Sequence, residues 1–417
     1  MQRPDRLDVY YGAELVGMIH DVSPVAFEYA PSWLERPWRM TVAAIALQPG
    51  RNDSAAVQAF FENLLPEGEL RLYLAEQRKA STLFSLLLEV AGDTAGGFVI
   101  VPAGEPLEPA AYEPTTWQAL AAFLAKKSAS AIDLRGSDAR ISLAGAQDKT
   151  SIAIFEDGLP RLPKGTSPST HILKPNIKRL AKVWHSAANE TIVMRAAGKC
   201  GLPTAEVFYE PRTESCVVRR FDRLVRPDGT LARLVQYDLC QLAGMVSEHK
   251  YEKEGGPGLA TCAELIRRYS TQPAVDLRHF VRWIFFNLYA GNNDSHAKNL
   301  SIYNPPGNGV TLTPFYDLMC TRLYPGLPQE FAFEIGGEYK PSAMTPAHVT
   351  PLAQQLGMRP QFLAQQAADL ARRMPDALDL AVKEVKPVLP HSAKILADRL
   401  QQFVLSTTKK LAARLAS

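Results

Sequence analysis

The chain lacks most of what would tie it to a membrane, a disulfide scaffold or a nucleic acid. No stretch approaches the ~18 uninterrupted apolar residues of a membrane span. The opening MQRPDRLDVYYG has no long apolar core of the secretory kind. Cysteine is scarce: five among 417 residues, at Cys200, Cys216, Cys240, Cys262 and Cys320. None forms a C-x-x-C pair, which excludes a disulfide framework and the usual zinc spacings. An odd, scattered set fits reduced thiols, and a cytoplasmic protein is expected. Excess charge is also missing, with 46 Lys+Arg against 43 Asp+Glu and a net charge of +3. That is too little to argue for nucleic acid or an acidic membrane as a direct partner. Neither G-x-G-x-x-G nor G-x-x-x-x-G-K-[ST] occurs, and there are no internal repeats or low-complexity tracts. What remains is an ordinary globular composition, 46% hydrophobic and 21% charged, long enough for two or three domains.

The pattern along the chain changes twice. Residues 7–20, LDVYYGAELVGMIH, read as a hairpin, and Arg39–Leu47 as a further strand. SAAVQAFFENLLPEGELRLYLAEQ has helical spacing with a break at Pro66-Glu67-Gly68. The Pro- and Glu-rich 102–116 reads as a linker. The next section is strand-rich: ISLAG, KTSIAIF, THILKP, AEVFYE, SCVVRRFD and ARLVQYD are strand candidates. They are interrupted by one helix, HSAANETIVMRAAGKCG. From about residue 240 helices dominate, as in CAELIRRYS, DLRHFVRWIFFNLYA, PAHVTPLAQQLG, 360–385 and 391–415. The strand signal there is thin, confined to LSIY, GVTLTP and FAFEI. The expected class is α+β, with an N-terminal subdomain (1–105), a strand-rich lobe (106–238) and an all-helical lobe (239–417).

GNNDSHAKN, 291–299, packs polar chemistry between two apolar runs. Alone it is a turn-forming stretch. Read with PFYDLMCT, 314–321, it is more. Asp294 and Asn299 stand at the D-x-x-x-x-N spacing of a kinase catalytic loop. There the aspartate takes the acceptor hydroxyl's proton and the asparagine oxygen holds magnesium. Asp317, after a strand-like VTLTPFY, stands where the second magnesium ligand is needed, and both offer the hard oxygens magnesium prefers. Lys298 suits neutralising phosphoryl charge or pairing with Asp294. Upstream, Lys174 closes a strand candidate and Glu190 lies in the one helix that follows. That matches the strand-lysine and helix-glutamate pair of protein kinases. In ISLAGAQDKTSIAI the small Ala144, Gly145 and Ala146 let backbone N–H groups approach phosphate, and Lys149 adds charge.

These segments, together with RRFDR, QYDLCQ, YEKEGGPG and FFENLLPEG, resemble in order the HipA family, serine/threonine-protein kinase toxins of bacterial toxin–antitoxin systems. The resemblance covers nearly the whole chain. It implies a two-lobe protein-kinase-like fold with an extra N-terminal subdomain, and ATP and Mg2+ as cofactors. It implies Asp294 as the catalytic aspartate, Asn299 and Asp317 as metal ligands, and Lys174 on the nucleotide phosphates. Ala144, Gly145, Ala146, Gln147, Asp148 and Lys149 would cover the ATP phosphates. Tyr237, Asp238 and Leu239 would be the hinge that reads adenine through backbone groups, and His296, Ala297 and Lys298 part of the nucleotide-contacting loop. Ser142 matches the serine that the family autophosphorylates, where about −2 of charge would repel bound ATP. The hinge reads QYD rather than the family's QED, and Asp148 replaces a more usual glutamate. The implied partners are a small HipB-like helix-turn-helix antitoxin, operator DNA mainly through the antitoxin complex, and an aminoacyl-tRNA synthetase, such as glutamyl-tRNA synthetase, as substrate. The implied outcome is stalled translation and dormancy.

The loop 291–299 alone fits other chemistry. Its D-x-H-x-x-N spacing also resembles phosphoinositide kinases, so a lipid or small-molecule phosphotransferase is an alternative. A non-catalytic co-repressor subunit is a second. A metallohydrolase built on Asp294, His296 and Asp317 is a third, lacking a second nearby histidine.

Overall fold

The computed structural model describes residues 4–37, 40–90, 92–126 and 147–416. Ser142, Ala144, Gly145, Ala146 and the strand expected at ISLAG lie outside the described residues. The fold is α+β, and the chain divides into two compact units. One comprises Met1–Leu173, Arg220–Glu248 and Tyr303–Pro305; the other Lys174–Arg219, His249–Ile302 and Pro306–Ser417.

The first unit begins with the expected hairpin, Arg6–Tyr11 against Glu14–His20, bulged at Val9/Tyr10. A five-stranded antiparallel sheet grows from it in the order Arg51–Asn52, Ala26–Tyr29, Glu14–His20, Arg6–Tyr11, Phe98–Pro102. Gly17 sits where strands crowd: a Cβ there would lie 2.4 Å from the Glu28 carbonyl oxygen. The helices Ala55–Asn63 and Gly68–Arg78 match the expected helix, break and helix. Phe60 and Phe61 are buried, and their rings meet Phe98 and Phe27. Further along, His171–Pro175, Thr150–Ile154, Pro160–Pro163 and Tyr112–Pro114 lie side by side in that order.

Two expectations in this unit fail for visible reasons. Residues 40–47 form turns rather than a strand. The Tyr29 hydroxyl accepts from the Val42 N–H (2.7 Å) and donates to the Ile45 carbonyl (3.2 Å). A side chain thus takes backbone groups that a strand would need, and Ala43 has φ +47°. The Pro-rich 102–116 is not a bare linker, because Tyr112–Pro114 is an edge strand, where proline is tolerated.

The second unit is built around the helix Pro273–Ala290. From Phe280 to Ala290 every residue is buried, including Trp283, Phe285, Phe286 and Tyr289, and its polar members Arg282 and Asn287 are partnered, Arg282 with Asp369 (2.8 Å) and Asn287 with the Trp283 carbonyl (2.9 Å). Leu259–Tyr269, Pro360–Val385 and His391–Ala416 pack on it, and Ser186–Lys199 packs on Pro360–Val385. Pro273 opens the central helix, where its missing N–H costs nothing, and Gly291 (φ +73°) ends it in the left-handed conformation. A Cβ on Gly291 would come within 3.1 Å of Phe403 and 3.2 Å of the Cys320 sulfur, so the position is tight as well as left-handed. The short strands Ser301–Tyr303 and Thr311–Leu312 fall at LSIY and GVTLTP. FAFEI makes only one isolated bridge, Ile335 to Glu338, because the Glu334 N–H goes to the Glu252 carboxylate instead of a strand partner. All five cysteines are buried free thiols. No described helix is long and apolar enough to cross a membrane.

Candidate active site

The loop after the central helix hides almost everything except one carboxylate. From Gly291 to Leu300 every residue is buried but Asp294, which is exposed. The loop's shape is held by its own polar groups. Asn292 donates from Nδ2 to Asn287 Oδ1 (2.8 Å), the Asn293 N–H donates to Thr321 Oγ1 (2.8 Å), and the Ser295 hydroxyl donates to the Asn292 carbonyl (3.1 Å). Ala297–Asn299 form one 3₁₀ turn. Asn299 donates from Nδ2 to the Asp294 carbonyl at 3.0 Å, which fixes the amide and turns its Oδ1, a hard oxygen, the other way. His296 is fully enclosed, its ring edge-on to Tyr251 at 5.1 Å. Burial pushes its pKa well below the ordinary 6.5, and the charges of Lys250 and Lys298 add to this against the pull of Asp317. His296 is thus a neutral packing residue at physiological pH. Lys298 is itself buried, at 6% exposure.

The sequence-predicted lysine and both its carboxylates come together in the same unit. Lys174 Nζ donates to Glu190 Oε1 at 2.6 Å and to Asp317 Oδ1 at 2.8 Å. Burial alone would lower the lysine's pKa, but Asp317 and Glu190 outweigh it and raise it above its ordinary value. Lys174 is therefore a fixed cation. The two carboxylates are not alike: the Glu190 side chain is 2% exposed, that of Asp317 43%. Asp317 also has φ +59°, the left-handed region that non-glycine residues seldom occupy. Such strain at a polar residue marks a position held by its surroundings.

Part of what holds it is a residue to which the sequence reading assigns no role. Asn189, beside Glu190 and fully buried, brackets the backbone of Cys320: its Nδ2 donates to the carbonyl (3.1 Å) and its Oδ1 accepts from the N–H (2.9 Å). The same Nδ2 reaches Tyr324 Oη at 3.1 Å. One helical turn thus fixes the lysine through Glu190 and the segment after Asp317 through Asn189. A second residue that sequence reasoning gave no role is Tyr251, whose hydroxyl donates to Asp294 Oδ1 at 2.5 Å. Its sequence signal is the YEKEGGPG motif, which carries part of the family resemblance.

The other predicted site residues belong to the first unit. Gln147, Asp148 and Lys149 are half-buried and lead into the strand Thr150–Ile154. At the expected hinge both polar side chains are committed internally. Tyr237 donates to the Thr41 carbonyl (2.9 Å) and its ring lies against Phe60 and Phe98. Asp238 caps the helix Leu239–Ala243: it accepts from the Gln241 N–H (2.7 Å), while its own N–H donates to Gln241 Oε1 (3.0 Å). QYD in place of QED therefore puts a half-buried tyrosine, with its hydroxyl on the Thr41 carbonyl, at the middle position.

Two family models match the chain: the HipA N-terminal domain over residues 7–101 and the HipA-like C-terminal domain over residues 141–378. The putative kinase Y4mE of Sinorhizobium fredii is 31% identical over 406 residues, which is 93% of this chain and 94% of that protein. The serine/threonine-protein kinase toxin HipA of Shewanella oneidensis is 27% identical over 417 residues, 95% of this chain and 94% of that one. Among solved structures, the complex of Shewanella oneidensis HipA, HipB and operator DNA matches with a TM-score of 0.82 at 25% identity, covering 97% of each chain. With more than half of its length inside the C-terminal family model and its relatives matched nearly end to end, the chain belongs to the HipA family.

Proposed function

We propose that the chain is a toxin kinase that transfers the γ-phosphate of ATP to a serine or threonine of a protein. The observation that carries the reading is the Lys174–Glu190–Asp317 cluster in one unit with the exposed Asp294. A buried lysine locked as a cation suits nucleotide phosphates, and an aspartate with one end in solvent suits a metal. The amide oxygen of Asn299 and the solvent-reaching carboxylate of Asp317 fit Mg2+, which takes few protein ligands and completes its shell with phosphate and water. When bound, the ion would neutralise phosphate charge. Asp294 accepts the hydroxyl proton of the acceptor as its oxygen forms the new P–O bond, and ADP leaves with the electrons of the broken one.

The roles of the remaining residues are part of the proposal. Ser142 is the autophosphorylation site, Ala144–Lys149 covers the phosphates, and backbone groups of Tyr237–Leu239 meet adenine. The same holds for the boundaries 1–105, 106–238 and 239–417 and for a cytoplasmic location, which buried free thiols favour. We assign a HipB-like antitoxin and operator DNA as partners because the matching Shewanella structure is of such a complex. An aminoacyl-tRNA synthetase as substrate, with arrest of translation and dormancy as the outcome, rests on the family resemblance.

The test is purified protein with radiolabelled ATP and Mg2+. Wild type labels itself; Asp294→Asn and Ser142→Ala do not. Label surviving in Asp294→Asn overturns the mechanism. Label surviving in Ser142→Ala moves the modified residue elsewhere.

A further inference from the structure

Asp294 is not a lone carboxylate, and its partner comes from a segment far away in sequence. The Tyr251 hydroxyl donates to Asp294 Oδ1 at 2.5 Å, the short end of O–H···O⁻ distances. The tyrosine is held on both sides. Its ring meets His296 edge-on at 5.1 Å, and the Lys250 ammonium lies 5.3 Å from its centre. The turn that carries it is closely packed. Gly255 is left-handed at φ +86°. A Cβ on Gly256 would stand 2.1 Å from the His249 carbonyl oxygen, and one on Gly258 2.2 Å from Glu252 Oε1. Glu252, next to Tyr251, is tied down in turn, accepting the Glu334 N–H at 2.7 Å. The glycines of YEKEGGPG thus allow the close packing that aims one hydroxyl at one carboxylate.

We propose that Tyr251 is a positioning residue for phosphoryl transfer. It holds the rotamer of Asp294 through Oδ1, so that the carboxylate stays turned toward the hydroxyl of the acceptor. The tyrosine keeps its proton throughout, and the acceptor's proton goes to the carboxylate. The neighbouring His296 is kept neutral by burial, with Lys250 and Lys298 acting in the same direction against Asp317.

The inference rests on Asp294 being the group that accepts the acceptor's proton, and Tyr251→Phe tests it. This substitution removes only the hydroxyl and keeps the ring against His296. In steady-state assays with ATP, Mg2+ and a serine-containing protein acceptor, kcat should fall about 10- to 100-fold, as when a partner orienting an active-site group is lost. KM for ATP should stay within about 2-fold, because the ring and its contact with His296 remain and only the contact to Asp294 is lost. Tyr251→Leu, which also removes the ring, should lower thermal stability, whereas Tyr251→Phe should not. Unchanged kcat in Tyr251→Phe overturns the inference. So does a rise in kcat, which would make the contact an obstruction. Asp294→Asn run in parallel separates the two ideas. If it remains active, the proposed role of Asp294 fails; if it is dead while Tyr251→Phe matches wild type, only the role of Tyr251 fails.

Discussion

Each unit contains a buried ionic cluster, and the two differ in a telling way. In the first, Asp93, Arg220, Asp222, Arg223 and Arg233 form a closed network. Arg220 holds Asp222 at 2.9 and 2.7 Å, Arg223 holds Asp93 at 2.9 Å and Asp222 at 2.8 Å, and Arg233 reaches Asp93 at 3.4 Å. No side chain of that set is more than 13% exposed. Many spare donors and acceptors are used as well: Ser169 Oγ donates to Asp93 (2.7 Å), the Gly96 N–H to Asp222 (2.8 Å), and Arg220 to the Thr94 carbonyl (2.8 Å), while Arg223 Nε and Arg233 Nε stay unpartnered among the described residues. Burial and the charge of Arg220 draw Arg223 down to about 10 against the pull of both aspartates, so it stays charged at pH 7. In the second unit, Lys174 and Glu190 are equally enclosed, but Asp317 reaches solvent with a 43% exposed side chain. A network closed to solvent specifies architecture. A network left open at one carboxylate can exchange a partner, and that is what a nucleotide site needs.

Breaking the open end tests this most sharply. Asp317→Ala should lower phosphoryl transfer by about 10³-fold, roughly 4 kcal/mol of transition-state stabilisation. Lys174 keeps Glu190, so the melting temperature should hardly move. Calorimetry beside a labelled-ATP assay checks both, and a large loss of stability would show that the two clusters are alike. Asp93→Ala should do the reverse. It removes the carboxylate held by Arg223 and Arg233 and should cost about 3 kcal/mol or more in denaturant unfolding, as breaking a buried pair does. Activity per folded molecule should survive. Asn189→Ala lies between the two cases. It strands the Cys320 N–H and carbonyl and should cost about 2 kcal/mol, with a drop in kcat because the segment following Asp317 loosens. The smallest effect is the pH response of His296. The unfolded chain protonates this histidine near 6.5, whereas burial keeps it neutral in the fold to much lower pH. Below 6.5 the unfolded state therefore binds the extra proton. Stability is full above 6.5 and falls as pH drops, by at most about 1.4 kcal/mol per pH unit. Denaturant titrations from pH 7.5 to 5 should show a shallower fall in His296→Gln.

Some of this is plain in the sequence, and the reasons are physical. The helices at 273–290, 360–385 and 391–416 announce themselves because apolar periodicity sustained over many turns arises in little else. The hairpin at the N-terminus shows through its glycine turn. The short helices Leu83–Val90 and Trp117–Leu124 carry too few turns to display a period. Residues 40–47 have strand composition, yet Tyr29 intercepts their backbone groups, a contact no local pattern encodes. At the site, the spacing of Asp294 and Asn299 is legible because one loop carries both.

The sequence by itself determined the inventory: a lysine at a strand end, a glutamate in a helix, an aspartate and asparagine at fixed spacing, and the order of motifs that marks the family. Only the tertiary structure decided how these groups differ. It exposes Asp294 alone within an otherwise buried loop, leaves Asp317 open and Glu190 closed, and makes His296 a neutral packing residue. It also sets Tyr251 on Asp294 and Asn189 on Cys320. Burial and hydrogen bonding between distant segments depend on which side chains exclude water from which, and that arises only when the chain is packed.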